Sequence, residues 1–171
     1  MIYFVATPIG NLEDITLRAI NVLNNVDIIA CEDTRTSQKL LNHFQISKKL
    51  MAFHKFNEVS TCEKILELNS QGKNIAIISD AGMPVISDPG NNLTKILREN
   101  NIDFTVIPGA NAALSALLLS GLDASSFYFL GFLPEKKSDK TKLLKEISNL
   151  FLDPSCLQKP HPVMYFSQPN E

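Results

Sequence analysis

Seven short apolar runs punctuate this chain, at 2–6, 27–31, 50–53, 74–78, 104–107, 127–130 and 163–166. Most are separated by stretches with helical periodicity, at 16–26, 36–44, 58–71, 92–100, 110–121 and 138–150. Runs of that length rich in β-branched and aromatic residues make strands, and parallel neighbours need a crossover of about a dozen residues, usually a helix. The alternation therefore predicts an α/β fold, a mainly parallel sheet flanked by helices. Thr16 is placed to cap the first helix, and Gly72 and Gly121 to stop two others.

The turns after the strands are as regular as the strands themselves. The segments TPIGN, SDAGMP, PGAN and GFLP each come straight after an apolar run, so all four are expected along one edge of the sheet. Ligands of open α/β sheets bind at the carboxyl ends of strands, so four such turns together predict a cleft. The stiffest is SDAGMPVISDPG (79–90), with two glycines free to take positive φ, two prolines that fix it, and the carboxylates Asp80 and Asp88. An ordinary tight connection is the simpler account of either half alone. Twelve residues this stiff and polar after a buried strand favour a ligand loop.

The bulk of the chain excludes several classes. Its 171 residues suit one domain, or one domain and part of another, and 44% hydrophobic with 20% charged residues is a globular composition. A net charge of -2 gives no general nucleic-acid footprint, so any RNA contact must come from local patches. The apolar amino-terminal run is too short for a signal peptide or a membrane span, and no later run is long enough to span. Cys31, Cys62 and Cys156 are odd in number and lack metal-ligand spacing, which points to reduced thiols in a cytosolic protein, Cys31 in the core, and no metal. The first strand is not followed by GxGxxG, no GxxxxGK[ST] occurs, and no nucleophile elbow is present. His43, His54 and His161 are isolated and suit surface or packing roles. Residue patterns alone thus reach an α/β cleft without naming its ligand.

The motifs ATPIGNLEDIT (6–16), CEDTR (31–35), SDAGMPVISDPG, PGANA (108–112) and GFLP (131–134) come in an order and spacing that resembles one family. It is that of the bacterial 16S ribosomal RNA cytidine 2′-O-methyltransferases, within the tetrapyrrole methylase superfamily, and the resemblance covers about the first 134 residues. The resemblance implies S-adenosylmethionine as methyl donor and a cytidine 2′-hydroxyl near the decoding centre of the small ribosomal subunit as acceptor. It also implies a homodimer in the cytoplasm, away from membranes. By the same resemblance Asp80, Ala81, Gly82, Pro84, Ser87 and Asp88 bind the donor or shape its loop. Pro108, Gly109, Leu133 and Pro134 are further walls, and Pro8, Gly10 and Asn11 belong to the loop that approaches the cleft. Glu32, Asp33, Thr34 and Arg35 are the other polar signature; Asp33 or Glu32 is a candidate base for the hydroxyl proton, unless these acids pair with Arg35 and only shape the loop.

Met83 stands where the family usually has Thr, and PGANA replaces the more usual PGPSA. Lys136, Lys137, Lys140, Lys142 and Lys145 form a basic run suited to RNA phosphate or, interrupted by Glu135, Asp139 and Glu146, to a solvated helix face. Arg18, Arg35, Lys48 and Lys49 are alternative phosphate contacts. Family members continue into a second α/β domain that closes the cleft. The expected organisation is a first domain over 1–134, then a connecting helix and one unpaired strand of an incomplete second domain over 135–171. The alternatives to an active RNA methyltransferase are a catalytically incomplete fragment that binds a ligand or partner, or a sister methyltransferase with a tetrapyrrole or protein acceptor.

Overall fold

The computed structural model describes residues 1–152 and 163–166, and side chains through residue 147. Chain contacts divide it into two compact units, Met1–Ala112 and Ala113–Glu171, a different boundary from the one drawn after Pro134 on sequence. Cys156, His161, the 153–162 connection and residues 167–171 lie outside the described residues.

The first unit is built on β1 (Ile2–Val5), β2 (Ile28–Cys31), β3 (Lys49–Ala52), β4 (Ile75–Ile78) and β5 (Phe104–Ile107). All pairs are parallel, in the order β3-β2-β4-β1-β5. The crossovers are α1 (Leu17–Asn25), α2 (Thr34–His43), α3 (Glu58–Ser70) and α4 (Asn91–Glu99). Strand periodicity explains the two faces. Val5, Ile29, Cys31, Ala76 and Ile78 point to one side and pack with Ala19, Leu23 and Leu41 from α1 and α2. Ile2, Phe4, Ala30, Ile75 and Ile77 point to the other and meet Ile65, Leu93 and Leu97 from α3 and α4. Both faces of β2 and β4 are consequently buried along their whole length, which is why these strands read as unbroken apolar runs.

Helix ends follow local chemistry. Thr16 caps α1 by accepting from Ala19 N at 3.0 Å. Asp33 caps α2, so that helix starts two residues before the sequence expectation of 36. Gly90 opens α4 with no side chain of its own to offer; Glu58, at the start of α3, accepts from Gly90 N (3.1 Å) and Asn92 N (3.3 Å) instead.

The second unit contains α5 (Ala112–Ser120) from its second residue on, β6 (Tyr128–Phe132), α6 (Lys137–Leu152) and β7 (Val163–Phe166). Two expectations are corrected here. The run at 127–130 does not join the large sheet, and 163–166 is not an unpaired strand: β6 and β7 pair with each other in parallel, with a register shift between Phe129 and Phe132. GFLP therefore sits in the second unit, and three glycine-bearing turns, not four, line the carboxyl edge of the five-stranded sheet.

Candidate functional site

β1 and β4 are neighbours whose connections leave in opposite directions, β1 by α1 on one face and β4 by α4 on the other. That divergence opens a crevice at their carboxyl ends, where the two longest motifs lie. The crevice is sewn at its base. Thr7 and Gly82 form an isolated antiparallel bridge, Thr7 N donating to Gly82 O (2.9 Å) and Gly82 N to Thr7 O (3.1 Å). The buried Thr7 hydroxyl donates to Ser79 O at 3.1 Å, and the Ser79 hydroxyl to Gly82 O at 3.3 Å. On the other side Ala6 N donates to Ile107 O, and a Cβ on Gly109 would lie 2.9 Å from that of Ala6. Glycine at 109 is thus required by loop-on-loop contact, before any ligand is considered.

The remainder of the long loop is strained. Val85 and Ser87 have φ of 77° and 69°, a region that side chains other than glycine's rarely adopt, least of all a β-branched one. Such conformations cost on the order of 1–3 kcal/mol each and collect at ligand-binding positions. Pro84 is buried, Ala81 and Ser87 are exposed and Asp88 is half-buried.

A cleft of about 260 Å³ opens between three segments of this edge: Pro8, Gly10, Asn11 and Leu12 after β1; Thr36, Ser37, Lys39 and Leu40 on α2; and Ser79 with Asp80 after β4. Asn11 lends its carbonyl to Glu13 N, which fixes the wall of the first loop. Asp80 Oδ1 accepts from Asp33 N at 3.1 Å, tying the β4 loop to the end of β2. The two acids of CEDTR face different surroundings. Both Asp33 oxygens are engaged: Oδ1 by Arg35 N (2.7 Å) and Nε (3.2 Å), Oδ2 by Arg35 Nη2 (2.8 Å). The Arg35 guanidinium holds this carboxyl down at about 2. Glu32 shifts upward, through burial first and then the nearby carboxylates of Asp88 and Asp80. Asp80 and Asp88 are also raised, burial being the main cause in each. Lys55, in the turn after β3, opposes the shift at both Glu32 and Asp88.

The structure thus gathers Pro8, Gly10, Asn11, Glu32, Asp33, Asp80, Ala81, Gly82, Pro84, Ser87, Asp88, Pro108 and Gly109 onto loops of one sheet edge, with Arg35 in the first turn of α2. Leu133 and Pro134 come after β6 in the second unit. Sequence reasoning missed Thr7, whose hydroxyl closes the base of the crevice, although it stands beside Pro8 in the first motif. It also missed Thr36, Ser37 and Lys39, because the cleft wall is the start of a helix and not a loop. Cys31 and Cys62 are buried, and burial raises both thiols, Cys62 to about 11. Among the described residues no group of histidine, cysteine and carboxylate side chains has the arrangement of a metal site.

The sequence profile of the tetrapyrrole (corrin/porphyrin) methylases matches residues 1–157. The chain belongs to that family. It is 54% identical over 154 residues to the ribosomal RNA small subunit methyltransferase I of Mesomycoplasma conjunctivae, a match covering 90% of this chain and 62% of that one. It is 50% identical over 145 residues to the protein of the same name from Halalkalibacterium halodurans, covering 85% and 50% respectively. The chain thus spans between half and two-thirds of the length of these relatives. Among solved structures, the uroporphyrin-III-C-methyltransferase of Thermus thermophilus superposes with a TM-score of 0.58 at 22% identity, over 78% of this chain and 60% of that one. At that identity the likeness is one of fold, and the tetrapyrrole methylase fold is what the five-stranded unit shares.

Proposed function

We propose that this chain carries the carboxyl-edge site of an S-adenosylmethionine-dependent methyltransferase acting on a cytidine 2′-hydroxyl of 16S ribosomal RNA, near the decoding centre of the small subunit. The observation that carries the reading is the crevice between β1 and β4, where the two longest motifs converge on one acidic edge, in a chain 54% and 50% identical to two ribosomal RNA small subunit methyltransferases. The residues suit such a donor by their chemistry. Asp80 and Asp88 are acceptors for ribose hydroxyls and an ammonium group, and the exposed turns at Gly10 and Ala81 offer backbone without bulk. S-adenosylmethionine, when bound, supplies a methyl group on a sulfonium, which departs as a neutral thioether.

The chain's own residues then have two tasks. Positioning comes first, because an in-line displacement depends on alignment, and the Thr7–Gly82 bridge holds both walls in place. The second is removal of the hydroxyl proton as the 2′-oxygen bonds to the methyl carbon. Glu32 is better suited than Asp33: its raised pKa makes it the stronger base, while Asp33 is engaged in capping α2 and in its pair with Arg35. Lys39, on the cleft wall, is placed for a phosphate of the acceptor strand. A cytoplasmic homodimer is part of the same proposal; exposed leucines on α5, at Leu118 and Leu119, support self-association.

The test is transfer of labelled methyl groups to small ribosomal subunits lacking the modification, with the labelled nucleotide mapped, and calorimetric titration of the donor alongside. Glu32→Gln should retain donor binding and lose roughly 10²–10⁴-fold in turnover. Asp33→Asn should keep most of its activity. Full turnover by Glu32→Gln would remove it as the base, and transfer to no ribosomal nucleotide would overturn the acceptor assignment.

A further inference from the structure

Phe56 is 99% exposed, the most exposed large apolar side chain among the described residues, and it stands at the same carboxyl edge, in the turn between β3 and α3. Single apolar residues on a surface are ordinary and require no explanation. Three further observations set this one apart. The turn is rigidly built: Asn57 accepts from His54 N (2.8 Å), donates its side-chain amide to Ala52 O (3.0 Å), and gives its backbone N–H to His54 O (3.1 Å). The ring lies edge-on to the His54 imidazole with centroids 6.1 Å apart. Its neighbour Lys55 is exposed and acts electrostatically on both Glu32 and Asp88.

A fold gains nothing by holding a phenyl ring in water on a stitched turn, since stability comes from apolar area removed from water. An unpaired nucleobase would gain, because base–aromatic stacking needs an open, preordered ring with a cation beside it for the backbone. The neighbouring acids disfavour RNA phosphate directly over Glu32, and Lys55 is the charge that offsets them. We propose that Phe56 is a stacking platform for an unpaired base next to the methylated nucleotide, with Lys55 contacting the phosphate between the two. This rests on the RNA-acceptor reading and adds the side chains that hold the strand.

The chain contains no tryptophan, so Phe56→Trp introduces a single indole at the position in question. Titration of that variant with a single-stranded oligoribonucleotide of about ten nucleotides should quench its fluorescence, while an abasic ribose-phosphate strand of equal length should not. In parallel, anisotropy of labelled RNA should show Phe56→Ala and Phe56→Leu weakened roughly tenfold or more and Phe56→Tyr near the parent. Circular dichroism should be the same for all, because the ring is almost wholly exposed.

If the parent binds RNA and Phe56→Ala or Phe56→Leu binds it equally well, the stacking role is overturned and the RNA reading stands. If the parent itself binds no RNA, both fall together. Unchanged RNA affinity with self-association lost in Phe56→Ala, by sedimentation, would reassign the ring to a protein contact and overturn the proposal.

Discussion

The carboxyl edge of the sheet has a centre and a flank built on opposite principles. The centre, after β1, β4 and β5, is closed at its base by neutral groups: the Thr7–Gly82 bridge, the Thr7 hydroxyl on Ser79 O, and Gly109 against Ala6. The β4 loop also carries the carboxylates Asp80 and Asp88. The flank, after β2 and β3, is charged and open, with Glu32, Asp33, Lys55 and Phe56. The contrast is between neutral groups that hold the loops together and charged or exposed groups that hold nothing shut. Substitutions at the seam of the centre should cost stability, and those at Glu32 and Phe56 should cost function while leaving the fold intact.

The largest effect is expected at Gly90, where the long loop enters α4. Its φ is 122°, and an added Cβ would lie 2.9 Å from Val85 Cγ2, so Gly90→Ala combines backbone strain with overpacking. A loss of about 2–5 kcal/mol in urea unfolding is expected; a loss near zero would show that the loop end is not constrained. Next is Thr7→Val, which keeps the shape and removes the hydroxyl, leaving Ser79 O without that donor. About 1–3 kcal/mol should be lost. Equal stability of the parent and this variant would break the division between centre and flank.

The flank should behave otherwise. Asp33→Asn keeps a capping oxygen and loses the charge paired with Arg35. The folded-state pKa of Asp33 is about 2 against an ordinary 3.8, so its charge stabilises the fold above 3.8 and that contribution disappears as pH falls towards 2. The parent should therefore exceed Asp33→Asn slightly at neutral pH and match it at the acid end. Glu32→Gln should have the reverse sign. Its carboxyl is raised above the ordinary 4.5, so the ionised form is a cost to folding at neutral pH that vanishes on acidification through the raised value to 4.5. Thermal melts should show Glu32→Gln at least as stable as the parent at neutral pH and the gap closing in acid. Phe56→Ala should change stability least, by no more than about 0.5 kcal/mol.

Much of this was legible in the chain. Each strand of the large sheet falls within a residue or so of its expected run, because burial on both faces writes an unbroken apolar word in β2 and β4. The edge loops were legible because glycine and proline mark them. What escaped is non-local. β6 has the same composition as the other strands, and nothing in Tyr128–Phe132 says that its partner is Val163–Phe166 and not the large sheet. The surroundings of Glu32 and Asp33 were indistinguishable in CEDTR; they separate only when Arg35 curls back on Asp33 and the β4 loop brings Asp80 and Asp88 towards Glu32. Phe56 carried no signal at all, because an exposed aromatic in a turn belongs to no period.

The long loop is fastened at both ends, by Thr7 at Gly82 and by Glu58 at Gly90. In the time domain this makes it a clasp with a short free span. The amides of Gly82 and Gly90 should exchange with deuterium slowly, at rates set by opening of the sheet edge and of the α3–α4 contact. Those of Ile86 and Ser87, exposed between the two fasteners, should exchange fast in the same molecule.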